Sequence, residues 1–257
     1  MAEINRRTIG QAGVQTQAGI DEGLRAYMLK VYNYMAIGLA LTGVAALLFA
    51  NMATTGDAGS AAAQLPNGKM LTDFGVTLFT SPLRWVVMLA PLGLVFFLSF
   101  RVHTMSVGAA QMTFWAYAAL VGVSLSSIFV IYTPESITQV FFVTSASFLG
   151  LSLYGYTTKK DLSGWGSFLM MGLIGIIIAA VVNIFLQSSA LQFAISVIGV
   201  LVFAGLTAYD TQKIKEMYNV NDDGTVSGRK AIMGALRLYL DFINMFIMLL
   251  HLFGNRN

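Results

Sequence analysis

Cysteine is absent from the 257 residues, and histidine occurs only twice, at His103 and His251. Those absences exclude disulfides, thiol nucleophiles, iron–sulfur clusters, thiolate zinc and a histidine-rich metal centre. Charge is scarce too. Asp, Glu, Lys and Arg make up 11% of the chain, less than half of the roughly 25% in an ordinary soluble domain. Apolar residues take their place: the set AVILMFWYC accounts for 56%, and mean hydropathy is +0.71. A soluble domain of this length cannot hide that much apolar surface, and intrinsic disorder needs the opposite composition. The net charge of +3 comes from scattered basic residues, so a nucleic-acid face is not expected. The sequence holds no phosphate loop, no nucleophile elbow and no HExxH motif. The expectation is therefore a membrane protein that is not an enzyme and has no resident cofactor.

A bilayer span needs about 20 mostly apolar residues. Long apolar runs, most of them uncharged, place spans at 31–51, 85–100, 105–131, 136–158, 166–187, 190–217 and 233–253. The second is short, but Arg84 and Arg101 at its ends can extend towards water. Thr133-Pro134-Glu135 reads as a helix start, and the polar cluster Gln187-Ser188-Ser189 divides the long uncharged stretch between Asp161 and Asp210. The last segment contains Asp241 and His251, so a re-entrant segment competes with a full span. The apolar run 242–250 favours the span. Residues 1–26 form a polar tail without a signal-peptide core, leaving 27–257 as the membrane domain. The loop 52–83 is rich in small and hydroxyl residues, with room for a short helix at 61–64. Pro91 is expected to kink the second span, and Ala36/Ala40 and Ala204/Ala208 have small-xxx-small spacing.

Basic residues set orientation. One side of the membrane receives Arg6, Arg7, Arg25, Lys30, Arg101, Lys159, Lys160, Lys213, Lys215, Arg229 and Lys230, with Arg237 a turn inside. The other receives Lys69, Arg84 and Arg256. The bias predicts a cytoplasmic N-terminus and, after seven spans, an external C-terminus.

Ionisable residues inside spans are functional candidates, because burying charge in hydrocarbon is costly. Two acids qualify, Asp210 and Asp241. Counted from the nearer span ends at 1.5 Å per residue, they lie roughly 10 and 12 Å inside the same edge. They sit on consecutive helices joined by a short loop, so they can meet. Close anions in low dielectric cannot both ionise cheaply, and such a pair should share a proton. A plainer reading competes evenly: Lys213, i+3 from Asp210, and Arg237, i−4 from Asp241, could neutralise each acid within its own helix. Asn244 shares a face with Asp241 and either extends a polar seam or bridges helices. Arg101 closes the second span on the same side, as a partner of the acids or as an anchor.

Ala208-Tyr209-Asp210-Thr211-Gln212-Lys213-Ile214 resembles the sixth-helix motif of the Bax inhibitor-1 family, and Leu238-Tyr239-Leu240-Asp241-Phe242-Ile243-Asn244 resembles its seventh-helix motif. The resemblance implies an all-α membrane protein with six helices packed around a central seventh. It also implies a pH-sensitive calcium leak with Asp210 and Asp241 as sensor and gate, and Arg101 as their partner from the second helix. Some members carry a further acid in that helix, and 85–100 has none. Without a long basic C-terminal tail, the chain resembles bacterial members. The expectation that follows is a multi-pass protein of the bacterial inner membrane. It would handle protons and transient Ca²⁺, with Asp210 and Asp241 as a weak calcium site and Arg237, Asn244 and Lys213 in support. The alternative is a non-conducting regulator that binds a membrane-anchored protease or channel.

Overall fold

The computed structural model describes the backbone of residues 2–256 and the side chains of residues 22–256. Nine helices among the described residues account for nearly all of the architecture: α1 (Ala2–Ala53), α2 (Asp73–Thr80), α3 (Leu83–Arg101), α4 (Val107–Leu125), α5 (Ile128–Ile131), α6 (Pro134–Thr157), α7 (Ser163–Leu186), α8 (Ser189–Glu216) and α9 (Gly224–Phe253). With α4 and α5 counted as one, seven of these segments are long and apolar enough to cross a membrane. The chain is an all-α, multi-pass membrane protein. Most of the expected polar tail, residues 1–21, lies outside the described side chains.

Local chemistry explains the helix starts. Side-chain oxygens of Thr72, Ser106, Thr133, Ser188 and Asp223 each accept from the backbone N–H three residues on. That is the arrangement expected of N-caps, and Pro134 adds a preset φ at the first position of α6. Helix α7 ends at Gln187, whose φ of 49° is left-handed, and Ser188 caps α8 at once. The break thus falls at the polar cluster anticipated from sequence. Asp161 accepts from the Ser163 N–H at 2.8 Å ahead of α7, and hydrogen bonding to Ser163 holds its carboxyl below the ordinary range. Pro91 sits inside α3, which continues through it.

Helix α9 is the axis of the bundle. In its most apolar stretch 67% of residues are buried, against 11% in α3 and in α7. It packs on α8, α1, α6 and α4, while α3 leans mainly on α4 and α7 mainly on α8. Lipid tails are as apolar as leucine, so hydrophobicity alone does not bring these helices together; close approach at small residues does. Gly155 of α6 lies against the Ala208 carbonyl of α8, where an added Cβ would overlap. Of the small-residue pairs noted in the sequence, Ala208 is therefore at a crossing. Ala36 and Ala40 are exposed, and their neighbour Gly38 makes the contact instead, facing Phe114 and Tyr239.

The expected short helix at 61–64 is not formed. Instead β1 (Thr54–Thr55), β2 (Ala63–Gln64) and β3 (Met70–Leu71) make a small antiparallel sheet in the order β1-β3-β2. The reason is the turn Leu65-Pro66-Asn67-Gly68. The Gly68 N–H donates to the Leu65 carbonyl at 2.9 Å, and Gly68 takes φ 83°, which pairs the flanking residues as a hairpin. The loop also holds a 3-10 turn at Ala58–Ser60, capped by Asp57, and the α-helix α2, started by Thr72.

The two ends of the bundle differ. At one end, Arg229 donates to the carbonyls of His103 and Met105, Lys215 to Tyr156, and Lys230 to Met217. These cations meet chain leaving the C-terminal ends of α3, α6 and α8, where unsatisfied carbonyls and the helix dipole favour positive charge. At the other end, Thr133 and Tyr132 pair with residues 255 and 256, and Gln192 meets His251 at 3.2 Å.

Candidate functional site

The register of α8 against α9 can be read from three contacts. Gly234 faces Ile214, Arg237 faces Asp210, and Gly199 faces Met248. All three describe one antiparallel alignment, in which Asp210 is level with Arg237 or Leu238. Asp241 therefore lies three to four residues, or about 5 Å, further from the basic end than Asp210. The expectation of equal depth gives way to a stagger of roughly one turn, because α9 starts nine residues before the apolar run that marked the seventh span. The two acids remain on adjacent, packed helices within about one turn of each other in depth. No re-entrant break interrupts α9.

The stagger gives each acid a different setting. Asp241 is 4% exposed, and its Oδ2 has no hydrogen-bond partner among the described residues. Asp210 is partly open and faces the Arg237 guanidinium at 4.0 Å. That distance is long for a charge-assisted hydrogen bond, and Arg237 is about half exposed. From the basic end inwards the order is thus a solvated cation, a largely covered acid and a sealed acid. Beyond Asp241 the core around α9 turns apolar, with Phe203, Met245, Phe246 and Leu249 all buried.

The local neutralisation considered from sequence is not the arrangement formed. Arg237 reaches across to Asp210 on α8 instead of pairing along α9 with Asp241. Lys213 turns away from Asp210 and holds Glu216 and the Ser163 hydroxyl, both at 2.6 Å. Asn244 donates back to the Leu240 carbonyl at 2.8 Å, so it extends no polar seam from Asp241. Arg101 is exposed at the end of α3 and makes no ion pair among the described residues. Its helix leans on α4, which leaves it away from the α8–α9 seam, and α9 reaches the α3–α4 loop through Arg229 instead. Among the described residues no group of three or more acidic or histidine side chains could hold a metal, so the two aspartates are the whole carboxylate set.

Two hydroxyl links around the acids escaped the sequence reading. Tyr32 of α1, Ser152 of α6 and Thr211 of α8 form a chain at 2.6 and 2.9 Å, ending on the residue after Asp210. Thr42 of α1 meets Tyr239 of α9 at 2.6 Å and donates towards the Ala118 carbonyl of α4. Hydroxyls at helical spacing in spans were the available signal. Their partners lie 59 to 197 residues away, so no local pattern reveals them.

The likeness to known proteins runs over nearly the whole chain. A family model described as inhibitor of apoptosis-promoting Bax1 matches residues 24–257. The chain belongs to the Bax inhibitor-1 family. Within it, the chain is 47% identical over 237 residues to the Escherichia coli inner membrane protein YbhL, covering 91% of this chain and 93% of that one. It is equally similar, 47% over 236 residues and 92% of both chains, to the Rickettsia prowazekii protein RP147. A Caulobacter vibrioides relative is 45% identical over 236 residues, 91% of this chain and 90% of its own. This Bax inhibitor-1 family chain thus holds its two motif aspartates on the central helix and on the helix packed most closely against it.

Proposed function

We propose that the protein is a passive calcium leak of the bacterial inner membrane, closed by protons through Asp210 and Asp241. The observation that carries this reading is the buried Asp241 carboxyl, with one oxygen unpartnered, a turn beneath a second acid. A lone buried carboxylate is costly, and two of them in low dielectric are costlier. A single proton on the pair, which leaves at most one of them charged, permits the close α8–α9 packing. Its loss sets the carboxylates against each other and draws Asp210 towards Arg237, loosening the seam. Water and a cation then enter from the basic end. Ca²⁺, as the transported ion, takes 6–8 oxygens, so two carboxylates need carbonyls and waters to complete its shell. Such a site binds weakly, as conduction requires. The apolar layer of Phe203, Met245, Phe246 and Leu249 keeps the far side shut in the packed state. Placement in the inner membrane draws on the name of the E. coli relative, and a cytoplasmic N-terminus draws on the basic bias.

The test is calcium flux into proteoliposomes holding the purified chain, followed with an enclosed dye from pH 5 to 8. Flux should fall as pH falls, because protonation closes the seam. Asp210→Asn and Asp241→Asn should each flatten that dependence, and the double variant should add little to either, since the residues act as a unit. Arg237→Gln should shift the midpoint, whereas Arg101→Ala should leave it in place. Absence of flux at every pH would overturn the leak and favour a regulator docked on a membrane-anchored protease. A wild-type pH response in both single variants would overturn the shared proton.

A further inference from the structure

Near the basic end, the outer faces of α1 and α6 are bridged by the Tyr32–Ser152 hydrogen bond and otherwise stand apart around a cavity of about 470 Å³. That volume lies within the range of small-ligand sites. Its walls are Met28 and Leu29 from α1 and Leu149 and Leu153 from α6. Leu29, Leu149 and Leu153 are each more than half exposed, on helices that cross the membrane. The cleft therefore opens sideways into the bilayer rather than into water. Its rim is charged. Arg25 lines it, is exposed, and has no hydrogen-bond or ion-pair partner among the described residues. Tyr156, also lining it, carries the Lys215 ammonium 5.1 Å from its ring centroid.

We propose that this α1–α6 cleft binds an anionic phospholipid, with the headgroup phosphate at Arg25 and an acyl chain against Leu29, Leu149 and Leu153. The chemistry matches end to end. The walls accept hydrocarbon, the Tyr32–Ser152 hydroxyls line it as well, and the exposed Arg25 guanidinium sits at the basic end of the span, where headgroups lie. Free phosphate has no use for the apolar walls, and a zwitterionic lipid gains less from a lone guanidinium. A basic side chain near an anionic membrane surface contributes a roughly fivefold gain in affinity.

Native mass spectrometry of the detergent-purified full chain, titrated with phosphatidylglycerol or phosphatidylcholine, tests the site. Wild type should retain phosphatidylglycerol over phosphatidylcholine. Arg25→Gln should weaken phosphatidylglycerol retention by about fivefold. Leu149→Trp should lower retention of that lipid by filling the cleft. Lys30→Gln, one turn further along α1 and outside the cleft, should change nothing, which separates a built site from general attraction to basic charge. Equal retention of both lipids by wild type, unchanged retention in Arg25→Gln and Leu149→Trp, or an equal loss in Lys30→Gln would each overturn the proposal. Calcium flux plays no part in the readout, so failure of the leak leaves this test intact.

Discussion

Asp241 is kept where a hydrophobic residue would be more stable. Its buried Oδ2 has no partner, and an unsatisfied buried polar group costs about 1–3 kcal/mol. Every neighbour along α9 from Phe242 to Phe246, apart from the partly covered Asn244, is apolar and buried. Asp241→Leu, similar in shape and without polar atoms, should therefore stabilise the detergent-solubilised protein by about 1–3 kcal/mol while abolishing the pH response. Thermal unfolding followed by circular dichroism reads the first effect. A lowered melting temperature would mean that the carboxyl holds the bundle together, and the functional account of its burial would fail. Asp210 lacks this signature, since it is partly open and has a cation within 4.0 Å. The two aspartates thus differ in setting, one sealed and one in touch with the basic end.

Between elements, small residues decide which helices come close. Gly155→Ala would drive a Cβ into the Ala208 carbonyl, which is backbone and cannot swing aside. Overpacking of this kind costs about 1–3 kcal/mol, and here it would part α6 from α8 and strain the nearby Ser152–Thr211 hydrogen bond. The variant should melt earlier than wild type, whereas Gly150→Ala on the same helix, with open space around it, should not. Equal melting of the two would remove close packing as the reason for the glycine. The helices themselves were legible from the sequence. In hydrocarbon each backbone polar group must be satisfied within its segment, so hydropathy alone locates the spans. The loop 52–83 was not, because two-residue strands carry no periodicity and the Asn67-Gly68 turn gained its meaning only from pairing. Asp210 and Asp241 stood out as rare charges in apolar runs. The choice of Arg237 over Lys213 or Arg101 required the α8–α9 register, which begins with a helix start at Gly224 that hydropathy places later.

At the scale of the molecule, the uneven distribution of charge gives the bundle a direction. One end gathers the cations: Arg237 faces Asp210 there, Arg25 lines the α1–α6 cleft there, and Arg229, Lys215 and Lys230 tie off chain at the C-terminal ends of three helices there. Lysine and arginine near span ends are retained on the cytoplasmic side during insertion. The acid pair should accordingly titrate with cytoplasmic pH, so that acidifying the cytoplasm closes the leak and acidifying the outside does not. Seven spans also place residues 5 and 257 on opposite faces. Fusions of a reporter active only in the cytoplasm at residue 5, and of one active only outside it at residue 257, should both report. Residue 5 on the outer face would invert the bundle and turn the acid pair towards external pH, and both ends on one face would mean that one of the seven helices does not cross.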